Sequence, residues 1–557
     1  MFPDDKTYDT KVLDEAACND LSFEFLCEAL TAEPLERNII KKIMSTVVCD
    51  ESVIQYRIDV FDDLLHYPDL CEHLEKLLSR LNDLWELKRM QKDTEVSSMW
   101  GLVNRLREVD DYIQCISQMK EAMDTVELKS EGLQRLYQMV CEIYNGSGFP
   151  QLKQDIDETL KKAQSLKSAT IGVNFDNLLR PKQAGVVSLN DTEFTHSGLL
   201  KNFMYFASNK RELHEGVDDV STMRHFHPET RRNNKELSGL TPTAVTELSA
   251  MHIESSVTGG DLLSGAMEKA VTGILKKVVK DIQDVLRKYV DISGYSLSSL
   301  SPELTFYIRW ATLIRKVQKC SLPICKPKIL PIEERRLHTE GMYNMKLAIK
   351  AVKDDKEEII TNALDFDDAH RIYIMTGPNR GGKTTFTQAV GLLFLLAQNG
   401  IAVPAENFEF SPCDTIFTHF PADENKTVDL GRLGEESVRL SEIMKKATGQ
   451  SLVLLNETLA TTNVEEGVYL ARDIVRFLSF IGVRSVYNTH MHDLARHLED
   501  FNDSTEMKSR VDSLVTGIEN GKRSFHVSIS PPQNVSYAHD IAVKYGITFE
   551  QLKESRK

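Results

Sequence analysis

The chain has 557 residues, a formal net charge of −16 and 41% hydrophobic residues, which argues against wholesale disorder and against a single compact core. The acidic balance disfavours a surface coated with nucleic acid, because phosphate binding needs clustered Lys and Arg, although local basic patches remain open. Nine scattered cysteines without a C-x-x-C pair disfavour a disulfide framework or a zinc site. Neither a signal sequence nor an apolar run of about 18 residues occurs, so we expect a cytoplasmic protein without a membrane span.

Helix is predicted for most of the first half of the chain. Residues 21–144 are rich in helix formers, and leucines within residues 74–84 recur with helical i, i+3, i+4, i+7 spacing. ATIGVNF and AGVVSLN, at residues 169–175 and 184–190, are typical of two short strands. Helical periodicity then returns, and we predict helices at residues 274–285 and 304–317.

The last part of the chain alternates between strand and helix patterns. Strands are predicted at RIYIMTG, SLVLLNE, RSVYNTH and SFHVSIS, and a helix at TTFTQAVGLLFLLAQNG. We therefore predict a helical core or lever region at residues 1–150, an arm with short strands at 151–260, a helical return at 261–330 and an α/β domain at 331–557.

TGPNRGGKTT, from Thr376 to Thr385, matches the P-loop pattern between a predicted strand and a predicted helix. Its glycines let backbone N–H groups turn onto phosphate oxygens, and the helix N-terminus adds partial positive charge. Lys383 is expected to reach the β and γ phosphates of ATP, and Thr384 to give its hydroxyl to Mg²⁺. A chance Gly-rich turn is the alternative. The predicted nucleotide-binding residues are Gly377, Pro378, Asn379, Arg380, Gly381, Gly382, Lys383, Thr384 and Thr385.

The strand SLVLLNE ends where a magnesium-coupled Asp is usual, but Asn456 stands there, followed by Glu457. Glu457 suits the orientation or activation of an attacking water. Asn456 can hydrogen-bond a metal-bound water but adds no negative charge. If Asn456 acts from the outer shell of the metal, we expect a loss of roughly 10 to 100-fold in metal affinity or rate, which slows an ATPase without abolishing it.

A third strand, RSVYNTH, ends in His490. Ligands collect at the carboxyl ends of strands in open α/β sheets, so His490 is predicted to touch the γ-phosphate or the attacking water. A buried core histidine is the alternative. His492 lies two residues on and is interpreted equally well as a surface residue.

TGPNRGGKTTFTQAVG resembles the P-loop of the MutS mismatch-repair family. NTHMHDLA resembles that family's T-H-x-H-E-L motif, and NVSYAHDIAVKYGI its late S-Y-G helix motif. Residues 52–78 are similar, more weakly, to the start of the family's helical core. The resemblance implies an ABC-type P-loop ATPase domain that follows a mostly helical region with a small β-containing insertion, the latter matching the family's clamp by position only.

Family members are dimers in which each ATP lies between one subunit's P-loop and a signature segment of the other. The corresponding segment here is DLGRLGEESVRLSEI, residues 429–443, with Leu433 where the family has a phosphate-contacting Ser. RLGEES also looks like the broader ABC signature, so Gly434 or Ser437 is a candidate for the contact across the dimer. A surface helix start is the alternative. Arg380 is an extra cation in the loop. Three roles are open for it: contact with phosphate, contact with a partner subunit, or exposure to solvent.

The resemblance implies a Mg²⁺-dependent ATPase that acts as a homodimer on DNA in repair or recombination, and Asn456 implies that its turnover is slow. The stretch before Ser52 leaves no room for the family's mismatch-recognition and connector domains, so direct mismatch recognition is not expected. A nucleotide-gated scaffold with little hydrolysis and no DNA binding is the alternative, which the acidic charge and Asn456 favour.

Overall fold

The structure is a computed structural model, and it describes most of the chain. The described residues are 7–90, 99–164, 168–175, 177, 181–190, 284–285, 288, 297, 299–353, 358–378, 380–420, 431–459, 463–503, 505–519, 522–532, 543 and 545–554. They form two compact units. The first comprises Met1–Leu78, Glu121–Gln138 and Pro302–Lys557, and the second Ser79–Lys120 and Met139–Ser301.

Helices and strands are numbered separately in chain order. The helices of the described chain are α1 (Glu15–Asp20), α2 (Phe23–Leu30), α3 (Pro34–Met44), α4 (Glu51–His66), α5 (Pro68–Met90), α6 (Met99–Met123), α7 (Glu131–Asn145), α8 (Phe149–Gln164), α9 (Ser301–Lys319), α10 (Met345–Lys353), α11 (Lys383–Gln398), α12 (Gly431–Lys446), α13 (Val464–Ile481), α14 (His492–Arg496), α15 (Leu498–Asn502) and α16 (Phe549–Glu554). The strands are β1 (Thr10–Val12), β2 (Thr46–Val48), β3 (Ser168–Phe175), β4 (Pro181–Asn190), β5 (Lys328–Ile329), β6 (Leu337–Met342), β7 (Asn362–Phe366), β8 (His370–Thr376), β9 (Asn407–Phe410), β10 (Ile416–His419), β11 (Leu452–Asn456), β12 (Arg484–Asn488), β13 (Arg510–Glu519) and β14 (Lys522–Ile529).

Local sequence signals explain where the early helices begin. Asp14 caps α1 by accepting from the Ala17 N–H at 2.7 Å, and Asp50 caps α4 in the same way. Pro34 is the first residue of α3, where its missing N–H costs nothing. The leucine stripe predicted in residues 74–84 lies in α5, and Leu74, Leu77 and Leu81 have no solvent exposure. The predicted helical character of this region is confirmed.

A six-stranded sheet forms the centre of the first unit. Its order is β10-β11-β12-β8-β13-β14, and the strands are parallel except for β14, which is an antiparallel edge. Residues Leu452–Asn456 and Arg484–Asn488 are buried throughout, as expected for parallel strands covered on both faces. On one face α13 packs its apolar stripe, including Val475 and Leu478, against Ile374. The predicted α/β character of this part of the chain is confirmed.

A second, four-stranded sheet in the same unit has the order β5-β9-β6-β7. The sequence did not predict it, because its strands are short and pair over long sequence distances. Lys328–Ile329 pairs with β9, and Cys325 bridges to Val403, so the Pro-containing stretch 322–334 takes part in this sheet.

The second unit contains helical segments and a β-hairpin. β3 and β4 pair antiparallel along most of their length, with Ala169 opposite Leu189, which confirms the two predicted strands. Arg80 and Asp111 form an ion pair at 2.7 Å. The predicted helix at 304–317 is confirmed as α9 in the first unit, whereas the one at 274–285 lies outside the described residues except for its last two.

Within the described part of the chain, no helix is long and apolar enough to cross a lipid bilayer. The same residues contain no group of three or more His, Cys, Asp or Glu side chains able to hold a metal ion. All nine cysteines are described, and each is a free thiol.

Candidate functional site

The Gly-rich loop leaves the end of β8 and turns into α11. Gly377 has a φ of +144°, and a Cβ there would lie 2.0 Å from the Thr516 hydroxyl, so only glycine fits. Gly382 has a φ of +88° and directly precedes Lys383, the first residue of α11. The helix N-terminus, with its unpaired backbone N–H groups, therefore opens at the loop, as an anion site requires.

Lys383 is buried beneath this loop, with 4% of its surface exposed. Its Nζ donates to the carbonyl oxygens of Gly377 and Pro378, both at 3.1 Å. Burial lowers the pKa of Lys383, while the negative charge of Glu457 acts in the opposite direction. The ammonium group is thus held by neutral acceptors that phosphate oxygens can replace.

Thr384 meets the end of β11. Its Oγ1 donates to Asn456 Oδ1 at 3.0 Å, and the Asn488 side-chain amide donates to the same oxygen. β11 is not the direct neighbour of β8, the strand that precedes the loop, because β12 lies between them. A hydroxyl and an amide carbonyl are the hard oxygen ligands or outer-shell acceptors that suit Mg²⁺, so the residues present fit this ion.

Glu457 and His490 lie together at the same edge of the sheet. His490 Nε2 is 2.8 Å from Glu457 Oε1, and this hydrogen bond lowers the pKa of Glu457, with burial acting oppositely. Glu457 also has a φ of +50°, a left-handed conformation that costs of order 1–3 kcal/mol in a non-glycine residue. Such strain is typical of functional positions. His492 is half-buried rather than a surface residue, and burial lowers its pKa.

A cavity of about 710 Å³ lies over the loop. Its polar side consists of residues 380–385 of the loop and helix start, together with Glu457. The remaining lining residues are Leu347, Glu358, Ile359, Ile360 and Phe525, which are mostly apolar. The cavity therefore joins a phosphate-sized cradle to an apolar wall, within the 300–1,000 Å³ range of ligand sites.

Phe525 is the main residue of this cavity that the sequence did not predict. It has a φ of +56°, and its ring carbon lies 3.2 Å from the position of a Cβ on Gly382. The Asn362 amide holds this part of β14, donating to the Phe525 carbonyl at 3.3 Å and accepting from the Val527 N–H at 2.7 Å. The sequence could not predict this position, because no local pattern indicates a phenylalanine with left-handed backbone inside a strand. The Asn362 side chain that holds it is 165 residues away from Val527 in the sequence.

The candidate signature segment coincides with α12, which begins at Gly431. Gly434 lies in its first turn, and Ser437 lies beyond it, with its hydroxyl donating to the Leu433 carbonyl at 2.7 Å. Arg380 is exposed and has a φ of +59°. Asn379, residues 421–430 and most of the NVSYAHDIAVKYGI motif lie outside the described residues.

Comparison with known families gives two matches. Residues 373–547 match the family model described as MutS domain V, and residues 49–320 match the model described as MutS2 N-terminal domain. The first match contains every predicted site residue.

Three curated relatives illustrate the similarity. The DNA mismatch repair protein MutS of Chlorobium phaeovibrioides is 28% identical over 240 residues, 42% of this chain and 26% of the relative. The DNA mismatch repair protein Msh6 of Gallus gallus is 23% identical over 523 residues, 85% of this chain and 37% of the relative. The DNA mismatch repair protein MutS of Clostridium kluyveri is 23% identical over 542 residues, which are 93% of this chain and 57% of the relative. The chain thus spans between a quarter and somewhat over half the length of these relatives.

Proposed function

The chain belongs to the MutS family, and from this premise we propose that it binds ATP with Mg²⁺, hydrolyses it slowly and acts as a homodimer on DNA. One observation carries the proposal: Lys383, the Thr384–Asn456 pair and the Glu457–His490 pair converge at the carboxyl ends of the parallel strands in the six-stranded sheet. Ligands bind at this edge in open α/β sheets. The role of each of these residues is part of the proposal.

Nucleotide binding follows from the two halves of the cavity. The phosphates lie on the backbone N–H groups at the start of α11, and Lys383 exchanges the Gly377 and Pro378 carbonyls for phosphate oxygens. The base lies against the wall that contains Ile360 and Phe525. Burial of a flat aromatic base there contributes the apolar part of the affinity.

Thr384 and Asn456 would hold magnesium, Thr384 through its hydroxyl and Asn456 through its amide oxygen. The ion would supply positive charge to the phosphates. Glu457 then accepts a hydrogen bond from the attacking water and orients it. His490 holds that carboxylate in place and keeps it ionised.

We propose an ABC-type P-loop ATPase domain at residues 331–557, with a helical core or lever at 1–150, a clamp-position arm at 151–260 and a helical return at 261–330. The insertion of β12 between β8 and β11 supports an ATPase of this type over a simple doubly wound fold. A cytoplasmic location is part of the same proposal.

Steady-state ATP hydrolysis tests the active-site assignment. Glu457→Gln keeps the size of the side chain but removes its charge, so nucleotide binding should persist while turnover falls about 10² to 10⁴-fold. Glu465→Gln, an exposed position in the first turn of α13, is the matched control and should turn over normally. Turnover that does not need Mg²⁺, or that survives Glu457→Gln, contradicts the assignment.

DNA binding is proposed because the relatives are DNA mismatch repair proteins. Affinities for homoduplex, mismatched, branched and single-stranded DNA, measured with and without ATP from about 50 to 200 mM salt, test it. A salt-dependent preference for one DNA shape supports the proposal. Absence of binding at the lowest salt removes the DNA part and leaves the ATPase part standing.

A nucleotide-gated scaffold is the second candidate, and the neutral Asn456 favours it, because Thr384 donates to an amide oxygen there and not to a carboxylate. This candidate predicts ATP-dependent association of subunits without turnover. Sedimentation and single-turnover hydrolysis on the same sample separate the two candidates.

A further inference from the structure

Asp20 is a mostly buried carboxylate outside the cavity, at the last residue of α1. Its Oδ2 accepts from Thr418 Oγ1 at 2.6 Å and from Arg439 Nη2 at 3.0 Å, and 14% of its side chain is exposed. Arg439 also donates to the Thr418 carbonyl at 2.8 Å. One carboxylate therefore joins the end of α1, the end of β10 and the middle of α12.

Burial and hydrogen bonding act in opposite directions on the Asp20 carboxylate. Burial disfavours the charged carboxylate and raises the pKa of Asp20, and the hydrogen bonds from Thr418 and Arg439 act in the opposite direction. Arg439 is 28% exposed, so removing Asp20 leaves a partly buried charge without its partner, which disfavours breaking the pair. Arg439, and with it α12, is thus held at one position on the sheet edge.

The turn that follows Asp20 contacts the P-loop helix. Gln388 Nε2, in α11, donates to the Asp20 carbonyl at 2.6 Å and to Ser22 Oγ at 2.9 Å. Ser22 has a φ of +58°, so its position is strained and well determined by these contacts. Asn344 completes the connection, donating to Gln388 Oε1 at 3.2 Å and to the Thr385 carbonyl at 2.9 Å.

The end of β10 also contacts the turn that carries Glu457. His419, next to Thr418, places Nδ1 3.0 Å from the hydroxyl of Thr458, and Thr458 directly follows Glu457. Successive residues of β10 therefore connect to Asp20 in one direction and to the catalytic turn in the other. The P-loop helix, α12 and Glu457 share one polar network centred on Asp20 and β10.

We propose that Asp20 is a positioning residue for ATP hydrolysis, because it fixes α12 so that the start of this helix meets nucleotide bound to a second copy of the chain. This rests on the proposed function, in which subunits associate around ATP. The role differs from mere stabilisation: it acts on association and turnover and leaves nucleotide binding by a single subunit unchanged.

The experiment compares Asp20→Ala with Asp20→Asn. Asparagine keeps an oxygen for Thr418 and Arg439, whereas alanine removes it. For Asp20→Ala we expect kcat to fall and the protein concentration at half-maximal turnover to rise, each by roughly tenfold, a typical size for groups sharing one network. The Kd of a fluorescent ATP analogue for dilute protein should stay within about twofold, and Asp20→Asn should recover most of the loss.

Asp414→Ala is the matched control. Asp414 is similarly shielded, at 11% exposure, and accepts from Lys11 Nζ at 2.8 Å, from Thr448 Oγ1 at 2.9 Å and from Ser451 Oγ at 2.7 Å. It thus ties the same N-terminal segment to the opposite end of β10 and to the turn after α12, and in the described part of the chain it shares no hydrogen bond with Asp20, Thr418 or Arg439. We expect Asp414→Ala to lower the melting temperature as much as Asp20→Ala while leaving kcat and the concentration dependence unchanged.

The proposal is overturned if Asp20→Ala turns over like wild type at equal folded fraction, or if Asp414→Ala reproduces its kinetic defect. Sedimentation with ATP separates this outcome from failure of the proposed function. If the wild-type protein associates with ATP but shows no turnover, only the hydrolysis part of the proposed function fails. The protein concentration at the midpoint of ATP-dependent association, compared between wild type and Asp20→Ala, then tests the role of Asp20. Wild type that neither associates nor hydrolyses overturns both proposals.

Discussion

At Asn456 a neutral amide stands where a carboxylate would bring negative charge next to Thr384. We predict that Asn456→Asp lowers the Mg²⁺ concentration for half-maximal ATP hydrolysis by about 10 to 100-fold, the range seen for outer-shell ligands. The exchange is nearly isosteric, and the new oxygens still accept from Thr384 and Asn488. A magnesium titration of turnover measures the effect.

Asn456→Ala is the companion variant for this prediction. It leaves Thr384 and the Asn488 amide without their shared acceptor, so the magnesium midpoint should move the other way. An unchanged midpoint in both variants would show that Asn456 has no part in metal binding.

The pair formed by Glu457 and His490 predicts a pH effect with a definite sign. The ordinary pKa of a glutamate is 4.5, and the hydrogen bond from His490 lowers the pKa of Glu457 below this value. Glu457 therefore stays ionised throughout the neutral pH range. In His490→Ala the bond is lost while burial remains, so the pKa of Glu457 should rise. We therefore predict that the acid limb of kcat/KM moves to higher pH in His490→Ala than in wild type.

His497→Ala, at an exposed position seven residues on, is the control and should keep the wild-type profile. An acid limb of His490→Ala at or below the wild-type position contradicts the role given to His490.

The residues around the candidate site fall into two groups, those that a local sequence pattern predicts and those that it does not. Lys383, Thr384, Glu457 and His490 were predicted because each follows a short motif at a strand or helix end, and the structure brings them together. Asp20 and Phe525 were not predicted. Their positions depend on contacts across 398 residues to Thr418 and on a left-handed backbone, and neither leaves a local signature.

Among the helices, α11 shows how closely an element can be fitted to its neighbours. A Cβ on Gly391 would lie 2.7 Å from Leu21 Cδ2 and 2.8 Å from Leu454 Cδ1. Both neighbours are buried, so we predict that Gly391→Val destabilises the protein by about 1–3 kcal/mol despite the poor helix propensity of glycine. Chemical denaturation measures the loss.

A compensating change tests the cause of this loss. Leu21→Ala makes room on one side of Gly391, so the double variant should be more stable than the sum of the two single losses. Strict additivity would show that overpacking against Leu21 is not responsible.

The β6–β7 pair carries a pH-dependent contact on its exposed face. His338 Nδ1 lies 2.6 Å from Asp365 Oδ1, and this hydrogen bond raises the pKa of His338 above its ordinary 6.5. The stability that it adds is complete below 6.5 and is lost as pH rises through the raised pKa. Because both groups are about half exposed, the effect is small.

The measurement is the difference in melting temperature between wild type and His338→Gln from pH 5 to pH 9. We predict that wild type is the more stable protein at the acidic end and that the difference vanishes toward the alkaline end. A difference that grows with pH contradicts the assignment.

Elements were predicted well where their pattern is local and long. The α5 stripe, β8, β11 and β12 follow directly from periodicity and burial. The sheet that contains β5 and β9 could not be predicted, because β5 has two residues and its partner lies 81 positions away. Its existence depends on tertiary contacts, not on propensity.

At the scale of the whole molecule, the two compact units predict a selective response to ligand. The P-loop lies in the first unit only, so ATP should raise the melting transition of that unit and leave the other unchanged. At a concentration of 100 times its Kd, ATP adds about 2.7 kcal/mol to the unit that binds it. Differential scanning calorimetry with and without ATP resolves the transitions.

Lys383→Ala should abolish the shift without moving the second transition. A shift of both transitions, or a shift that persists in Lys383→Ala, contradicts the assignment of the P-loop as the only source of the effect.

The hydrogen bonds between Asn362 and β14 also have a consequence for aggregation of the protein on storage. β14 is an edge strand, and open edges recruit strands of other chains. Asn362 occupies the Phe525 carbonyl and the Val527 N–H, the groups that an incoming strand would use. Local unfolding of β7 would remove Asn362 and expose the β14 edge while the rest of the six-stranded sheet is still folded. We therefore expect aggregation of stored protein to start from local opening at β7, before the six-stranded sheet itself unfolds.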